Sequence, residues 1–421
     1  MDKELLDFID QSPSPYQAVD LIEEELKAKG YREQKLEDAF DLEKEGSYYV
    51  KREGALVAFD LGKKAPWEGG FRLVTSHLDS PCFRIKPSPH KEDGAYIAIN
   101  TEVYGGPLYY TWFDRPLKLA GQVFYEEGGK VACKKVDIDR PLTIIPSLAI
   151  HMNREANKNF APNPQGDLLP IFAKINEDLK DPLYQALKED YNLNQEKILD
   201  FDLFLIPYEK GEKIGLNEEL ISVARLDNLA SAHASLLGLL AGDKADGTKV
   251  SCFLNHEEIG SRSEEGAQGR LVYEILHRMV LALGGNEDRF YQALHKSFLL
   301  SADLAHAVHP HHKEVADPTN QPKLGKGPVI KIAANKSYLS SGSTGAYIEE
   351  LCRKNHIPHQ KFVNASDRRG GSTLGPLLQE SLGVPGADIG TPILSMHSAR
   401  ELGATRDQEA YIALFKAFFA G

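Results

Sequence analysis

Two adjacent carboxylates, Glu257 and Glu258, closely follow an apolar run at residues 250–254 and precede a polar segment that contains glycine. The run predicts a buried strand, and open α/β sheets bind their ligands at the carboxyl ends of strands. A pair of glutamates at such a strand end is well placed to bind a cation or to transfer a proton. The competing interpretation is a charged surface turn, because adjacent like charges are usually solvated.

Three further side chains that can bind metals also follow predicted strands. His77, Asp303 and His397 each come directly after an apolar run, and Asp227 lies just before the helical pattern at residues 229–240. Taken singly, Asp227 is equally well interpreted as a helix N-cap, and His77 as a structural histidine. Their shared position at strand ends favours one common site.

A site made of these two histidines, two aspartates and two glutamates would be electrostatically unfavourable without cations. Two carboxylates about 4 Å apart repel each other by roughly 4 kcal/mol at an effective dielectric near 20. Divalent cations reverse the sign of this interaction. Mixed imidazole and carboxylate ligands are typical of zinc, with cobalt or manganese as alternatives. A carboxylate that bridges two metal ions is the usual arrangement in two-metal hydrolases.

Three other residues are also singled out by their positions in the sequence. Asp79 lies two positions after His77, so both side chains of an extended segment point the same way, and the carboxylate could fix the imidazole tautomer. Lys331 lies inside an apolar run, where it either extends to solvent or pairs with an anion. His151 lies in an apolar segment and is, by itself, interpreted as structural.

The surrounding elements predict an α/β fold with an insertion. Helical spacing and strand-like runs alternate before residue 85 and after residue 222. Between them the sequence has short β-rich runs separated by Gly-Gly turns, with no long helical pattern before residues 179–191. We therefore expect a discontinuous α/β domain at residues 1–85 and 222–421 and a mostly β domain at residues 86–221.

Composition narrows the class of protein. The chain has 421 residues, of which 42% are hydrophobic and 26% charged, as in an ordinary globular protein. Its net charge of −12 argues against nucleic acid or an anionic membrane as partner. The four cysteines show no Cys-x-x-Cys spacing, and neither a secretion signal nor a long apolar span is visible. We expect a cytoplasmic protein.

Five segments, in order, resemble the aspartyl aminopeptidase family of dinuclear zinc exopeptidases, particularly its bacterial members. The segments are residues 75–81, 224–228, 255–261, 301–310 and 395–401. Each motif alone is weak, but five in the same order along nearly the whole chain are specific. The resemblance implies a central mixed, largely parallel sheet flanked by helices, and an inserted β-rich domain used for dimerisation.

The resemblance also implies a ligand set for two zinc ions per subunit, with cobalt or manganese as possible replacements. The implied ligands are His77, Asp227 and Asp303 for one ion, and Asp227, Glu258 and His397 for the other. Glu257 would be the catalytic base, taking a proton from the attacking water and returning it to the leaving amine. The resemblance implies a catalytic role for Asp79 as well as for Glu257.

Substrate recognition is implied in the same way. The implied substrate-binding residues are His151, Glu257, Asp303, His306, Lys331 and Tyr338. Lys331 would face an acidic N-terminal side chain, while His306 and Tyr338 would donate to the developing oxyanion. His151 would reach into a neighbouring subunit. The family implies a homo-oligomer, a dodecamer built from dimers, that admits only short peptides.

One departure leaves the choice of substrate open. The segment at residues 364–373 is longer and more basic than in animal members. Arg368 or Arg369, instead of Lys331, could therefore shape the pocket that binds an acidic substrate side chain. A surface loop is an equally good interpretation. The alternatives are a broader-specificity two-metal aminopeptidase, an amidase, which would leave Lys331 unexplained, and a noncatalytic metal-stabilised assembly, which would have no need of Glu257.

Overall fold

Two large β-sheets organise the computed structural model, which describes residues 2–175, 181–242 and 244–421. The strands are β1 (Arg32–Glu33), β2 (Ser47–Lys51), β3 (Leu56–Asp60), β4 (Phe71–His77), β5 (Cys82–Asp93), β6 (Tyr96–Tyr104), β7 (Leu117–Glu127), β8 (Lys130–Thr143), β9 (Ile171–Lys174), β10 (Ile198–Pro207), β11 (Glu212–Ile214), β12 (Leu220–Val223), β13 (Thr248–Leu254), β14 (Phe298–Ala302), β15 (Ala305–His306), β16 (Val329–Lys331), β17 (Gln360–Phe362), β18 (Gly386–Gly390), β19 (Pro392–Ile393) and β20 (Glu401–Ala404). The helices are α1 (Asp2–Asp10), α2 (Pro15–Ala28), α3 (Pro66–Gly69), α4 (Pro182–Tyr191), α5 (Leu226–Leu240), α6 (Leu271–Ala282), α7 (Glu287–His295), α8 (Gly342–Lys354), α9 (Leu374–Leu382) and α10 (Thr405–Ala420).

The first sheet has nine strands in the order β1-β2-β3-β13-β4-β14-β18-β16-β17. Its central run β13-β4-β14-β18 is parallel, and antiparallel pairs occur at β2-β3, β3-β13 and β18-β16. Every residue of β13 is buried. Strands with continuous apolar runs are typical of parallel sheets that are covered on both faces. The predicted α/β fold with a mixed, largely parallel sheet is confirmed.

Helices cover both faces of this sheet. Neighbouring residues of β14 show the division, because Leu300 packs in one hydrophobic cluster and Leu299 in the other. The cluster around Leu300 includes buried side chains of α1, α2, α5 and α10, and the cluster around Leu299 includes those of α6, α7 and α9. Within the described ranges, no helix has the length and apolar character needed to cross a bilayer.

The second sheet has six strands in the order β8-β7-β10-β5-β6-β9, and all its neighbours are antiparallel. A separate core lies on it, to which Leu183 and Leu187 of α4 contribute. The β-rich texture between residues 86 and 221 is thus observed as a sheet, although its strand β5 already begins at Cys82. The domain boundaries stay a prediction. Of the helix predicted at 179–191, residues 179 and 180 lie outside the described residues.

The apolar run before His397, residues 393–396, predicts a strand, but the observed strand is shorter, which changes how His397 is positioned. β19 ends at Ile393 and pairs with β15 outside the large sheets. Beyond it, Leu394 forms a single bridge with Leu402. His397 has a φ of 66° and lies in a turn. The interpretation of His397 as a residue at the end of a strand is therefore wrong.

Candidate metal centre

The carboxyl ends of three neighbouring parallel strands meet at one edge of the nine-stranded sheet. β4 ends at His77, which is in register with Leu254, the last residue of β13. Asp303 directly follows β14, the strand on the other side of β4. Parallel strands end at the same edge, so the topology brings residues that are far apart in the sequence to one place.

Three groups of possible metal ligands overlap at this edge, and two of them share Asp227. In the first, His77 Nε2 lies 3.6 Å from Asp227 Oδ1 and 3.8 Å from Asp303 Oδ1. In the second, His397 Nε2 lies 3.7 Å from Asp227 Oδ2 and 3.4 Å from Glu258 Oε1. Two ligand atoms of a tetrahedral zinc ion are about 3.4 Å apart when each is about 2.1 Å from the ion. The observed spacings fit that requirement.

Burial and charge also fit a bound cation. Asp227 Oδ1 is buried and lacks a hydrogen-bond partner among the described residues. Buried polar atoms are almost always paired, so an orphaned carboxylate oxygen requires an explanation. Burial, reinforced by Asp303, raises the pKa of Asp227 to about 7, and burial also raises the pKa of Glu258 well above its usual value. The mixed set of imidazoles and carboxylates suits zinc.

Glu257 forms the third group with His77 and Glu258, but it is positioned differently from the other carboxylates. It opens a short 3-10 turn, Glu257–Ile259, and its Oε2 lies 4.0 Å from His77 Nε2. Its side chain is 17% exposed, against 4% for Asp227 and 5% for Glu258. Burial raises the pKa of Glu257 to about 8 against the opposing effect of His77. Among these three carboxylates, Glu257 is the most exposed.

Asp79 lies next to His77 as predicted, but its carboxylate has a different main task. His77 Nδ1 is 3.0 Å from the main-chain oxygen of Asp79 and 3.5 Å from its Oδ1. The carbonyl therefore fixes the tautomer that leaves Nε2 free for a metal. The Asp79 carboxylate accepts hydrogen bonds from the amides of Glu257 and Glu258, both at 3.1 Å, and from the hydroxyl of Tyr104 at 2.9 Å.

Glu401 is a second buried carboxylate that holds ligand residues by their backbone, and sequence reasoning missed it. Its Oε2 accepts from the amide of Asp227 at 2.9 Å, and its Oε1 from the amide of His397 at 2.7 Å. Only 2% of Glu401 is exposed. The available signal was its position four residues after His397 in the last of the five segments. Tyr104 was missed as well, and no local pattern marks it.

Lys331 is buried beside the first ligand group, so the interpretation that it extends to solvent is wrong. Its Nζ donates to the carbonyl of Leu304 at 3.0 Å and lies 3.4 Å from Asp303 Oδ2. It also lies 5.2 Å from the ring centre of Tyr338. Although burial opposes it, the charge of Asp303 holds the pKa of Lys331 above its usual value.

His306 and Tyr338 each pack against the ring of Phe362. The ring centres are 6.2 Å apart for His306 and Phe362, and 6.3 Å apart for Tyr338 and Phe362. Tyr338 is buried, while His306 is exposed at the end of β15. Lys331, which lies beside Asp303, is next to the Tyr338 ring.

Three predicted residues lie on the surface of the single chain. His151 is exposed in the stretch between β8 and β9. Arg368 and Arg369 are exposed in the loop between β17 and α9. Neither His151 nor the two arginines are enclosed as Lys331 is.

The fold and the ligand groups together define a class: an α/β protein with a candidate metal centre at the carboxyl edge of its largely parallel sheet. Comparison with known proteins identifies the family. The family model for the aminopeptidase I zinc metalloproteases (M18) matches residues 8–419. A probable M18 family aminopeptidase 2 from Clostridium acetobutylicum is 45% identical over 425 residues, covering 99% of this chain and 98% of the relative.

Solved structures agree with this assignment. The structure of a complex of Ape4 and Nbr1 matches with a TM-score of 0.93 and 35% identity, over 99% of this chain and 85% of the other. The dodecamer of mApe1 from S. cerevisiae matches with a TM-score of 0.85 and 26% identity, over 99% and 95% of the two chains. The chain belongs to the M18 family and is a metallo-aminopeptidase of the zinc metalloprotease class. The noncatalytic alternative is therefore set aside.

Proposed function

We propose that the protein releases N-terminal residues, preferentially aspartate and glutamate, from short peptides with two zinc ions and Glu257 as general base. The observation that carries the proposal is the pair of ligand groups that share Asp227, with Glu257 beside them. The proposed ligands are His77, Asp227 and Asp303 for one ion, and Asp227, Glu258 and His397 for the other. When bound, zinc supplies a Lewis acid that polarises the scissile carbonyl and lowers the pKa of a bound water toward 7.

Glu257 would move the proton of the reaction. Its Oε2 faces the ligand groups, and its side chain is the more exposed member of the glutamate pair. It would take a proton as the water oxygen attacks the carbonyl carbon, and deliver that proton to the nitrogen when the C–N bond breaks. His306 and Tyr338 would donate hydrogen bonds to the oxyanion that develops between these steps.

Lys331 would select the acidic side chain. It is buried and its cation is shared with Asp303, which is also a proposed zinc ligand. Once a cation takes the charge of Asp303, Lys331 needs another anion, and a substrate carboxylate supplies one. A neutral N-terminal residue would leave a buried cation unmatched, which costs several kcal/mol. A broader-specificity enzyme or an amidase would not need a buried lysine here.

Lys331→Met should lower activity on substrates with an acidic N-terminal residue much more than activity on neutral ones. We expect kcat/KM for Asp- and Glu-initiated dipeptides to fall by roughly 30-fold or more, since a buried charge pair is worth about 2–5 kcal/mol. The values for Leu-initiated dipeptides should change little. The measurement is a panel of N-terminally varied dipeptides, assayed with zinc-loaded and with chelated protein.

Arg368→Met and Arg369→Met serve as controls in the same panel because both side chains are exposed. They should keep the wild-type preference. If the arginine variants lose this preference while Lys331→Met keeps it, the pocket for the acidic side chain lies in the loop. An equal loss across all substrates in Lys331→Met would show that Lys331 only supports Asp303.

We also propose that the protein is a homo-oligomer, a dodecamer built from dimers through a dimerisation domain at residues 86–221. The related mApe1 forms a dodecamer. Leu148, Ile150 and Met152, which flank His151, are 58%, 47% and 75% exposed in the single chain. Exposed apolar side chains that cluster in this way are typical of an interface. In the assembly, His151 would reach the active site of a neighbouring subunit.

His151→Ala should leave the mass of the assembly and its zinc content unchanged, because the exposed imidazole has no structural role in the single chain. We expect kcat/KM to fall roughly 10- to 100-fold, the loss of one or two hydrogen bonds to substrate. Light scattering and peptide kinetics test this. Ile150→Asp, which should split the assembly, should lose activity to a similar degree. A fully active isolated subunit would refute the role.

The cytoplasm remains our proposed location. Cys82, Cys133, Cys252 and Cys352 are all free thiols, as is usual in a reducing compartment.

A further inference from the structure

The inserted segment, residues 86–221, reaches the metal centre at the turn that follows β6. This turn, residues 104–106, begins at the last residue of β6 and contains two glycines. It lies against Glu258 on one side and His397 on the other. None of the proposed ligands belongs to the inserted segment, yet two of them depend on this turn for their contacts.

The first contact runs through Asp79. The hydroxyl of Tyr104 donates to Asp79 Oδ2 at 2.9 Å. The same carboxylate accepts from the amides of Glu257 and Glu258. Asp79 is 1% exposed, so no bulk water can replace a lost donor. The tyrosine hydroxyl therefore holds the carboxylate that holds the glutamate pair.

The second contact is made directly to His397. Its Nδ1 is 3.1 Å from the carbonyl oxygen of Gly106, to which it donates when Nε2 faces the ligand group. The amide of Leu108 donates to the carbonyl of His397 at 2.9 Å. Gly105, with a φ of 70°, packs so closely that a Cβ there would lie 3.1 Å from Glu258 Cβ.

These contacts reach one half of the metal centre. Glu258 and His397 belong to the second ligand group, whereas His77 and Asp303 of the first are placed by β4 and β14 of the large sheet. Asp79 Oδ1 also lies 3.5 Å from His77 Nδ1, but Tyr104 donates to the other oxygen, Oδ2, which accepts from the amide of Glu258. We propose that the 104–106 turn is a positioning element for the Glu258–His397 half of the centre, with Tyr104 as a positioning residue that acts through Asp79. The proposal rests on the proposed two-metal function.

The placement of the inserted segment then sets the affinity of one metal position. A shift of this segment relative to the large sheet would move the donor to Asp79 and the acceptor of His397 together. The second position would weaken, and Glu257, whose amide is held by the same Asp79, would lose its orientation. The first position would keep its ligands.

Tyr104→Phe isolates this effect. The ring of Tyr104 packs edge-on against Phe204, with centres 5.6 Å apart, so the phenylalanine ring should stay in place and the chain should fold. We expect one of two zinc dissociation constants to rise roughly 10- to 100-fold, the usual effect of removing a group that orients a metal ligand. The other should stay within about twofold. At saturating zinc, kcat should fall while KM stays close to the wild-type value, because Glu257 is misplaced and Lys331 is not.

Zinc titration of the metal-free protein measures both constants, and the visible spectrum of the cobalt-substituted protein reports the change at one site without any activity assay. Tyr125→Phe makes the same chemical change in β7, where no hydrogen bond of the hydroxyl is seen in the described part of the chain. It should match wild type. If Tyr104→Phe matches wild type too, or weakens both positions equally, the positioning role is wrong. A wild-type protein that binds one zinc would instead contradict the two-metal function.

Gly105→Ala gives an independent test with a matched control. Gly94, at the other end of the same β5-β6 hairpin, has a φ of 60° and nothing within 4 Å of a Cβ. Both substitutions impose the strain of a positive φ, but only the one at Gly105 presses on Glu258. Gly105→Ala should weaken the same metal position as Tyr104→Phe, and Gly94→Ala should leave both dissociation constants unchanged. Equal dissociation constants in the two alanine variants would overturn the proposal.

Discussion

Glu257→Gln should keep both zinc ions and lose nearly all turnover. General acid–base catalysis contributes roughly 10²–10⁴-fold to a rate, and the whole of that contribution is assigned here to one carboxylate. Glutamine has the same shape, so the backbone amide of residue 257 can still donate to Asp79. Metal analysis of the purified variant and kcat on an Asp-initiated peptide are the two measurements.

Glu258→Gln is the matched control, because it makes the same change at the neighbouring residue. Its Oε1 lies 3.4 Å from His397 Nε2 in the second ligand group, so this variant should lose zinc as well as activity. The two variants should therefore separate binding from proton transfer. Near wild-type turnover in Glu257→Gln, or loss of zinc from it, would exclude the assignment of Glu257 as base.

The difference between these neighbours also shows what the sequence could predict. The predicted strand before Glu257 and Glu258 correctly indicated the edge of the sheet at which both carboxylates lie. The same reasoning was correct for His77 and Asp303. These predictions depend only on strand direction, which the apolar runs reveal. Which carboxylate is a ligand depends on side-chain orientation in a turn, and only the family resemblance suggested it.

Contacts between segments that are distant in the sequence could not be predicted from sequence patterns. Tyr104 and Glu401 act on residues of the metal centre through hydrogen bonds to atoms that no periodicity connects. His397 was assigned to a strand end because most of the residues before it are apolar, but they form a short, irregular connection in which only Ile393 is buried. For Lys331 the pattern of alternation allowed burial or exposure, and the acidic partner that decides between them is 28 positions away at Asp303.

Asp227→Asn should have opposite effects on stability with and without zinc. In the metal-free protein, burial and Asp303 raise the pKa of Asp227 to about 7, above the ordinary value near 3.9. The folded state then binds this proton more tightly than the unfolded state does. Stability is therefore lost as the pH rises from about 4 to about 7, and it stays lost above that. The loss is on the order of 4 kcal/mol at pH 8.

Asparagine carries no charge at any of these pH values, so it removes this loss. At pH 8 with a chelator, the variant should unfold at a higher temperature than wild type, and the difference should shrink as the pH falls toward 4. With excess zinc the order should reverse, because wild type gains about 2.7 kcal/mol for each site filled at 100 times its dissociation constant. Thermal unfolding of both proteins under both conditions measures the crossover.

Asp303→Asn should behave in the opposite way in the metal-free protein, which makes it a sharp control. Although burial opposes it, Lys331 holds the pKa of Asp303 below its usual value, so the ionised carboxylate contributes stability above about pH 4 and loses it as the pH falls. Its removal should destabilise the chelated protein at pH 8. If Asp227→Asn also destabilises the chelated protein at pH 8, then the ionised Asp227 carboxylate is not unfavourable in the metal-free fold. The shared position of Asp227 between two metal ions would then lose its physical basis.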